Sequence, residues 1–391
     1  MEKMTHRERI RAALSHQQPD RVPIDLGSTP VTGIAVQAHD RLLTYLGLDA
    51  GPTRIFDRAG QIACVNSAIL ESFGIDTRGI TPGRPDGAPD VDLQDADGYT
   101  DEWGLVRKRP PYADTYFVAN APLDGEISTQ DILNYRWPKP DDPGRIRGLR
   151  EQAVSYRTQG DWAIVLSLPG SFIQHSQLLR GFSSWYLDAA LDPTRLAALL
   201  DQVMEIQMAT CGYLLDAVGD LVDVVFTYDD LAIQDRLIVS PAMYQKLLEP
   251  RLKKFIEYLH DKTAAKIVFH TDGAVRPILH SLADMGIDAI NPVQVSAKGM
   301  GDTAALKAEI GNRLAFWGAV DTQSVLPFGT PDQVRLETQR RVDELNQGGG
   351  YVLGSVHNIQ SDVPVENVAA MFATALGKDL NELGNPHQLD R

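Results

Sequence analysis

The sequence predicts a single (β/α)₈ TIM barrel with an N-terminal helical extension and a hairpin or loop insertion near the barrel mouth. Three observations predict it. From about residue 160, apolar runs alternate with amphipathic segments, as in "WAIVLSLPG" and the long stretch that follows it. The runs are unbroken Val, Ile, Leu and Phe rather than alternating, which is how strands buried on both faces read. No GxGxxG follows the first strand, so an open dinucleotide-binding sheet has no positive support beside the barrel. Strand alternating with helix implies parallel pairing with right-handed crossovers, and about eight such strands suit closure.

Taken in order, "THRERIRAALSH" reads as a short helix with Thr5 as its N-cap, and "DRVPIDLG" as a strand ending at Asp25. Residues 36–50 and 58–74 read as helical. The stretch 83–112 is rich in Gly, Pro and Asp, so it reads as a loop plus hairpin with Trp103-Gly104 near the turn. "WAIVLSLPG", "VDVVFTYDD", "AKIVFHTDG", "IDAINPVQ", "RLAFWGAVDT" and "GGYVLGSVHNIQ" then supply strands, each followed by a helix, the last three near 303–310, 331–346 and 364–377. One barrel domain over 1–380 and a tail over 381–391 are expected.

The 391 residues are 43% hydrophobic and 23% charged, an ordinary globular balance. A formal net charge of −15 argues against a nucleic-acid or anionic-membrane surface. Cys64 and Cys211 form no disulfide framework and no CxxC motif, so a reducing cytoplasm fits. The N-terminus lacks an apolar signal region, and no apolar run reaches membrane-spanning length.

In a barrel of this kind, chemistry sits at the C-terminal ends of the strands. Those ends carry Asp25, Tyr228-Asp229-Asp230, His270-Thr271-Asp272, Asn291 with Gln294, Asp321, and His357-Asn358. Strand-end Asp and Asn also cap following helices, an alternative that weakens for His270 and His357 because histidine is not a favoured N-cap. His270 and Asp272 are two apart, so both point to one side if extension persists. With His357 they make two imidazoles and a carboxylate, a set that suits Zn²⁺ or Fe²⁺ with an open position. H-x-D with a distant H also marks non-haem iron oxygenases, but those are jelly rolls and this chain is not patterned as all-β. For His39, His175 and His280, in helical or loop context, packing or surface roles are the simpler reading.

These residues, with "RERIRAALSHQQPDRVPID", "YDDLAIQDRLIVSPAMYQKLLEP", "FHTDGAVRPILHSLADMGIDAINPVQ" and the C-terminal "GGYVLGSVHNIQSDVPVENVAAM", resemble the uroporphyrinogen decarboxylase superfamily over nearly the whole chain. The resemblance implies a (β/α)₈ barrel. True decarboxylases carry an arginine-rich PVWxMRQAGRY segment near the N-terminus; here "DRVPIDLGSTPVTG" stands instead, with no arginine after Asp25. The other branch comprises zinc methyltransferases that work with corrinoid proteins, with H-x-C in one loop and a cysteine before P-x-E-N. His270 matches their histidine, while Asp272 and His357 stand where the cysteines would be, His357 nine residues before Glu366.

The resemblance therefore implies a methyltransferase with a divalent metal on His270, Asp272 and His357: zinc, with Fe, Mn or Co as alternatives. Replacing two thiolates by a carboxylate and an imidazole takes the formal charge of the site from zero to about +1 and hardens it, which suits oxygen better than a thiol acceptor. The expected roles are proton transfer by Asp229 or Asp230, substrate orientation by Tyr228 and Gln294, and substrate contact from Asp25, Asn291 and Asp321. Partners expected are a corrinoid protein on a separate chain, since no D-x-H-x-x-G module is present, and a small methylated substrate; a homodimer is compatible. A decarboxylase of uroporphyrinogen or a related acid, and a non-catalytic corrinoid- or partner-binding barrel, are the alternatives.

Overall fold

A computed structural model describes residues 3–48, 51–94, 97–378 and 383. The tail expected over 381–391 lies outside them apart from Leu383. Seven parallel strands curl into one sheet: β1 (Thr77–Ile80), β2 (Ala163–Ser167), β3 (Val224–Tyr228), β4 (Lys266–His270), β5 (Ala289–Asn291), β6 (Ala315–Val320) and β7 (Tyr351–Ser355). Each pairs with its neighbour in chain order. The expected first strand is reduced to residues 23–25. It nevertheless bridges the two sheet edges: Asp25 N donates to Leu353 O, and Asp76 N donates to Ile24 O. Those bonds, and the parallel bridge of Ile24 to Leu353, close the barrel.

Side chains alternate inward and outward along each strand. Ala163, Val165, Val224, Phe226, Val268, Ala289, Ala315, Trp317 and Val352 fill the barrel interior. The helix His6–Leu14 plugs its N-terminal end, adding Ile10, Ala13 and Leu14 to that cluster. Its Thr5–Glu8 capping box sets where it begins. Burial of Ile10 and Leu14 contributes roughly 1.5–3 kcal/mol each. Polar anchoring is just as local. Fully buried Asp76 accepts from Arg9 Nη1 at 2.6 Å, Arg21 Nη1 at 2.7 Å and Ile24 N at 2.8 Å, tying the plug and the first strand to β1.

Two stretches differ from the sequence expectation. Residues 58–74 are not one helix. Ile55–Asp57 pairs with Ile62–Ala63, and a short helix, Ser67–Ser72, starts only after Asn66 caps it. The Asp57 carboxylate bonded to Gly60 N and the positive φ of Gln61 favour the turn. Beyond residue 90 the chain forms a four-stranded antiparallel sheet running to Asn120, larger than a hairpin, with Trp103 and Gly104 between its second and third strands. No helix among the described residues is long and apolar enough to cross a membrane.

Candidate metal centre

The inward alternation that places Val224 and Phe226 in the interior places Tyr228 there too, at the C-terminal end. Val268 does the same for His270, and Ala289 for Asn291. The register agrees, since His270 lies opposite Tyr228 on one side and Asn291 on the other. Asp272 lies just past the end of β4, and His357 just past β7.

One ligand atom each from His270, Asp272 and His357 lie within 4.8 Å of one another. His270 Nε2 is 3.6 Å from Asp272 Oδ2, and the two imidazole centroids are 5.5 Å apart. Ligands bound about 2.1 Å from a tetrahedral zinc stand roughly 3.4 Å apart, so the His–Asp separation is that of two ligands sharing an ion. The hydrogen bonds behind them point the same way. His270 Nδ1 is 2.6 Å from Asn291 Oδ1, which can only accept, so Nδ1 carries a proton and Nε2 is the nitrogen whose lone pair the neutral ring offers. Asn291 is held in turn, donating through Nδ2 to Trp317 O at 3.0 Å. His357 Nδ1 is likewise 2.7 Å from Asn358 Oδ1.

Electrostatics follow from burial and these contacts. Burial presses the His270 pKa down, but the Asp272 contact and the charges of Asp272 and Asp230 outweigh it, and the net shift is upward. Burial would raise Asp272; its contact with His270, and His357 beyond, hold it below the usual carboxylate range. His357 is shifted down, burial dominating.

The neighbouring carboxyls are committed differently. Asp229 accepts from Ile173 N and Gln174 N, each at 2.7 Å, so it closes the N-terminus of the helix Ile173–Arg180 from a remote strand. Burial still pushes its carboxyl up to about 8. Asp230 accepts from Gln174 Nε2 at 2.7 Å and from Asp272 N at 3.1 Å, and burial raises it also. Burial pushes the Tyr228 phenol up to about 12.

Of the remaining expected residues, Asn291 contacts His270 and Gln294 the loop of Asp272, whereas Asp25 and Asp321 are engaged elsewhere. Gln294 Oε1 accepts from Gly273 N at 2.6 Å, fixing the loop that carries Asp272. Asn291 sits behind His270 with both ends of its amide engaged. Asp25 is buried below, accepting from Thr77 Oγ1 at 2.5 Å, Ser28 Oγ at 2.8 Å and Trp317 Nε1 at 3.0 Å. Asp321 caps its own loop, accepting from Gln323 N and Ser324 N at 2.6 and 3.1 Å.

Sequence reading passed over Gln174 and gave His175 only a packing or surface role, without its partner. Gln174 reaches Asp230, and the only pointer to it was its place in the first turn after a barrel strand. His175 lies beneath Trp103 of the insertion, ring centroids 4.6 Å apart, with its Nε2 buried and unpartnered among the described residues. Arg107 of the same insertion is near enough to act on both His175 and Tyr228.

Comparison with known proteins gives one family match, Uroporphyrinogen decarboxylase (URO-D), over residues 127–376. The methylcobamide:CoM methyltransferase MtaA of Methanosarcina barkeri is 26% identical over 286 residues, 72% of this chain and 75% of that protein. A uroporphyrinogen decarboxylase of Hydrogenovibrio crunogenus is 23% identical over 183 residues, 46% of this chain and 48% of that protein. Among solved structures, a methyltransferase from Methanosarcina mazei superposes with a TM-score of 0.66 at 21% identity, covering 96% of this chain and 99% of that one, which establishes the shared fold.

Proposed function

The chain belongs to the uroporphyrinogen decarboxylase family of enzymes, and from that premise we propose that it is a metal-dependent methyltransferase. In this reading His270, Asp272 and His357 hold one divalent ion, and a methyl group moves between a small O- or S-methyl compound and a corrinoid carried by a separate protein. The observation that carries it is the convergence of three ligand atoms within 4.8 Å, with His270 Nδ1 tied to Asn291 so that Nε2 is free to bind. The longer match to a methyltransferase than to a decarboxylase supports the same branch.

Two imidazoles and a carboxylate suit zinc, iron, manganese or cobalt. When bound there, such an ion supplies Lewis-acid polarisation of the substrate's oxygen or sulfur. The chain's own residues do the rest. Asp230, shifted upward by burial and fixed by Gln174, is the acid–base group for a leaving oxygen. Tyr228 stays a phenol at neutral pH and donates a hydrogen bond to the substrate. Asp229 positions the helix that carries Gln174. Gln294 positions the Asp272 loop. Trp103 and Arg107 cover this end of the barrel as part of a lid.

Decarboxylation of a porphyrinogen is disfavoured, because several carboxylates need cationic partners and the loop after Asp25 supplies none. Elemental analysis of protein purified without added metal tests the proposal. About one divalent ion per chain is expected in the native protein, and none in a folded His270→Ala variant. Metal-free native protein that cannot be loaded, or full occupancy in the variant, would overturn it.

A further inference from the structure

A cavity of about 320 Å³ lies on the flank of the barrel, against β1 and between the helices Val36–Tyr45 and Leu149–Gln159. Among the described residues its lining includes Arg54 and Arg78 and no aspartate or glutamate, although the chain carries a net charge of −15. Arg78 is only 6% exposed. Its guanidinium stacks on Trp162, 4.0 Å from the ring centroid, and Nη1 donates to the carbonyls of Ile75 and Thr77. No carboxylate among the described residues is in ion-pair contact with it, nor with Arg54 at the rim. Of the two acids near enough to act on Arg78, Asp76 is already taken by Arg9 and Arg21, and Glu71 makes no ion-pair contact with it among the described residues.

A guanidinium removed from water without a counter-ion is costly. Arg78 keeps that position beside a ligand-sized space. The neutral donors around it fit the same chemistry. Asn66 uses its Oδ1 on Ala68 N, leaving its amide N–H groups, and Tyr156 adds a hydroxyl. Leu43, Phe56, Val65 and Leu70 make the remaining wall apolar.

We infer that this flank cavity is a second ligand site, separate from the metal centre and independent of the function proposed above. It takes a small organic anion, a carboxylate or a phosphate monoester. The charged end sits on Arg78 and Arg54, and the apolar body lies against Leu43, Phe56, Val65 and Leu70.

The test titrates the full-length protein with benzoate, phenyl phosphate and inorganic phosphate, by calorimetry and by thermal melting. It is repeated in metal-free His270→Ala protein to remove binding at the metal centre. Saturable binding of benzoate or phenyl phosphate, tighter than inorganic phosphate and unchanged by His270→Ala, is expected, with a raised melting temperature. The preferred aromatic anion decides between carboxylate and phosphate. Arg54→Gln should weaken it about tenfold and Arg78→Met should abolish it. If Arg78→Met does not fold, Arg54→Gln decides alone. No saturable binding, equal or tighter binding of inorganic phosphate, binding lost with His270→Ala, or affinity indifferent to Arg54→Gln would each overturn the site.

Discussion

His270 Nδ1 lies 2.6 Å from Asn291 Oδ1, and this one contact decides which face of the imidazole is offered to a ligand. The two residues are register partners on adjacent strands, so the contact is built into the sheet. Asn291→Ala should leave the barrel folded but release the ring to rotate and change tautomer. Metal affinity, measured by competition with a chelator, should fall about 10–100-fold. Unchanged affinity would mean that His270 is oriented by something else.

Asp229 and Asp230 are neighbours in sequence with separate tasks. Asp229 accepts two helix N-terminal amides, whereas Asp230 faces His270 and His357. Asp229→Asn should cost about 1–2 kcal/mol of stability, the scale of a lost helix cap. Asp230→Asn should cost less stability and lower kcat about 10²–10⁴-fold, as loss of an acid or base does. Urea unfolding beside steady-state kinetics separates them. Equal kinetic loss in both variants would remove the distinction.

What could be read from the sequence was whatever short-range pattern controls. The buried strands announced themselves as unbroken apolar runs because both faces are covered, and His270 and Asp272 stood out because they interrupt one. The first strand was read correctly at Asp25, but not its brevity, because two backbone bonds to distant partners define it. The 58–74 stretch misled because its apolar spacing is helical while Asp57, Gly60 and Gln61 set a turn by local hydrogen bonding. The partners of Gln174, Trp317 and His175 were illegible, since their contacts with Asp230, Asp25 and Trp103 span 56, 292 and 72 positions.

His175 makes acid stability a test of how the insertion packs. Burial beneath Trp103, with Arg107 nearby, holds its pKa at about 3. In the unfolded chain it titrates near the ordinary histidine value of about 6.5. The folded value is depressed, so the neutral ring's contribution is complete above pH ~6.5 and is lost as pH falls from there toward about 3. Between pH 7 and pH 5 it should account for about 1–2 kcal/mol of lost stability, allowing for the ring's partial exposure. His175→Gln should show a correspondingly smaller drop by urea unfolding at the two pH values. An identical drop would mean that the ring is hydrated and the insertion does not seal over it.

Charge and softness at the metal centre can be varied separately. Two neutral imidazoles and one carboxylate around a divalent ion leave a formal +1. Asp272→Cys keeps that charge and makes one ligand softer; His357→Cys adds a second anionic ligand and brings the charge to zero. If pull on an ether oxygen drives the reaction, His357→Cys should lose activity on an aryl methyl ether at least tenfold, at full metal occupancy. Asp272→Cys should lose less on the ether and shift preference toward a methyl thioether, because a thiolate ligand makes the centre softer. Rates on both donors, with metal content measured on the same samples, give the comparison. If the two variants fall equally on both donors, neither charge nor softness governs the choice of methyl donor, and that choice lies in the walls around Tyr228 and Asp230 instead.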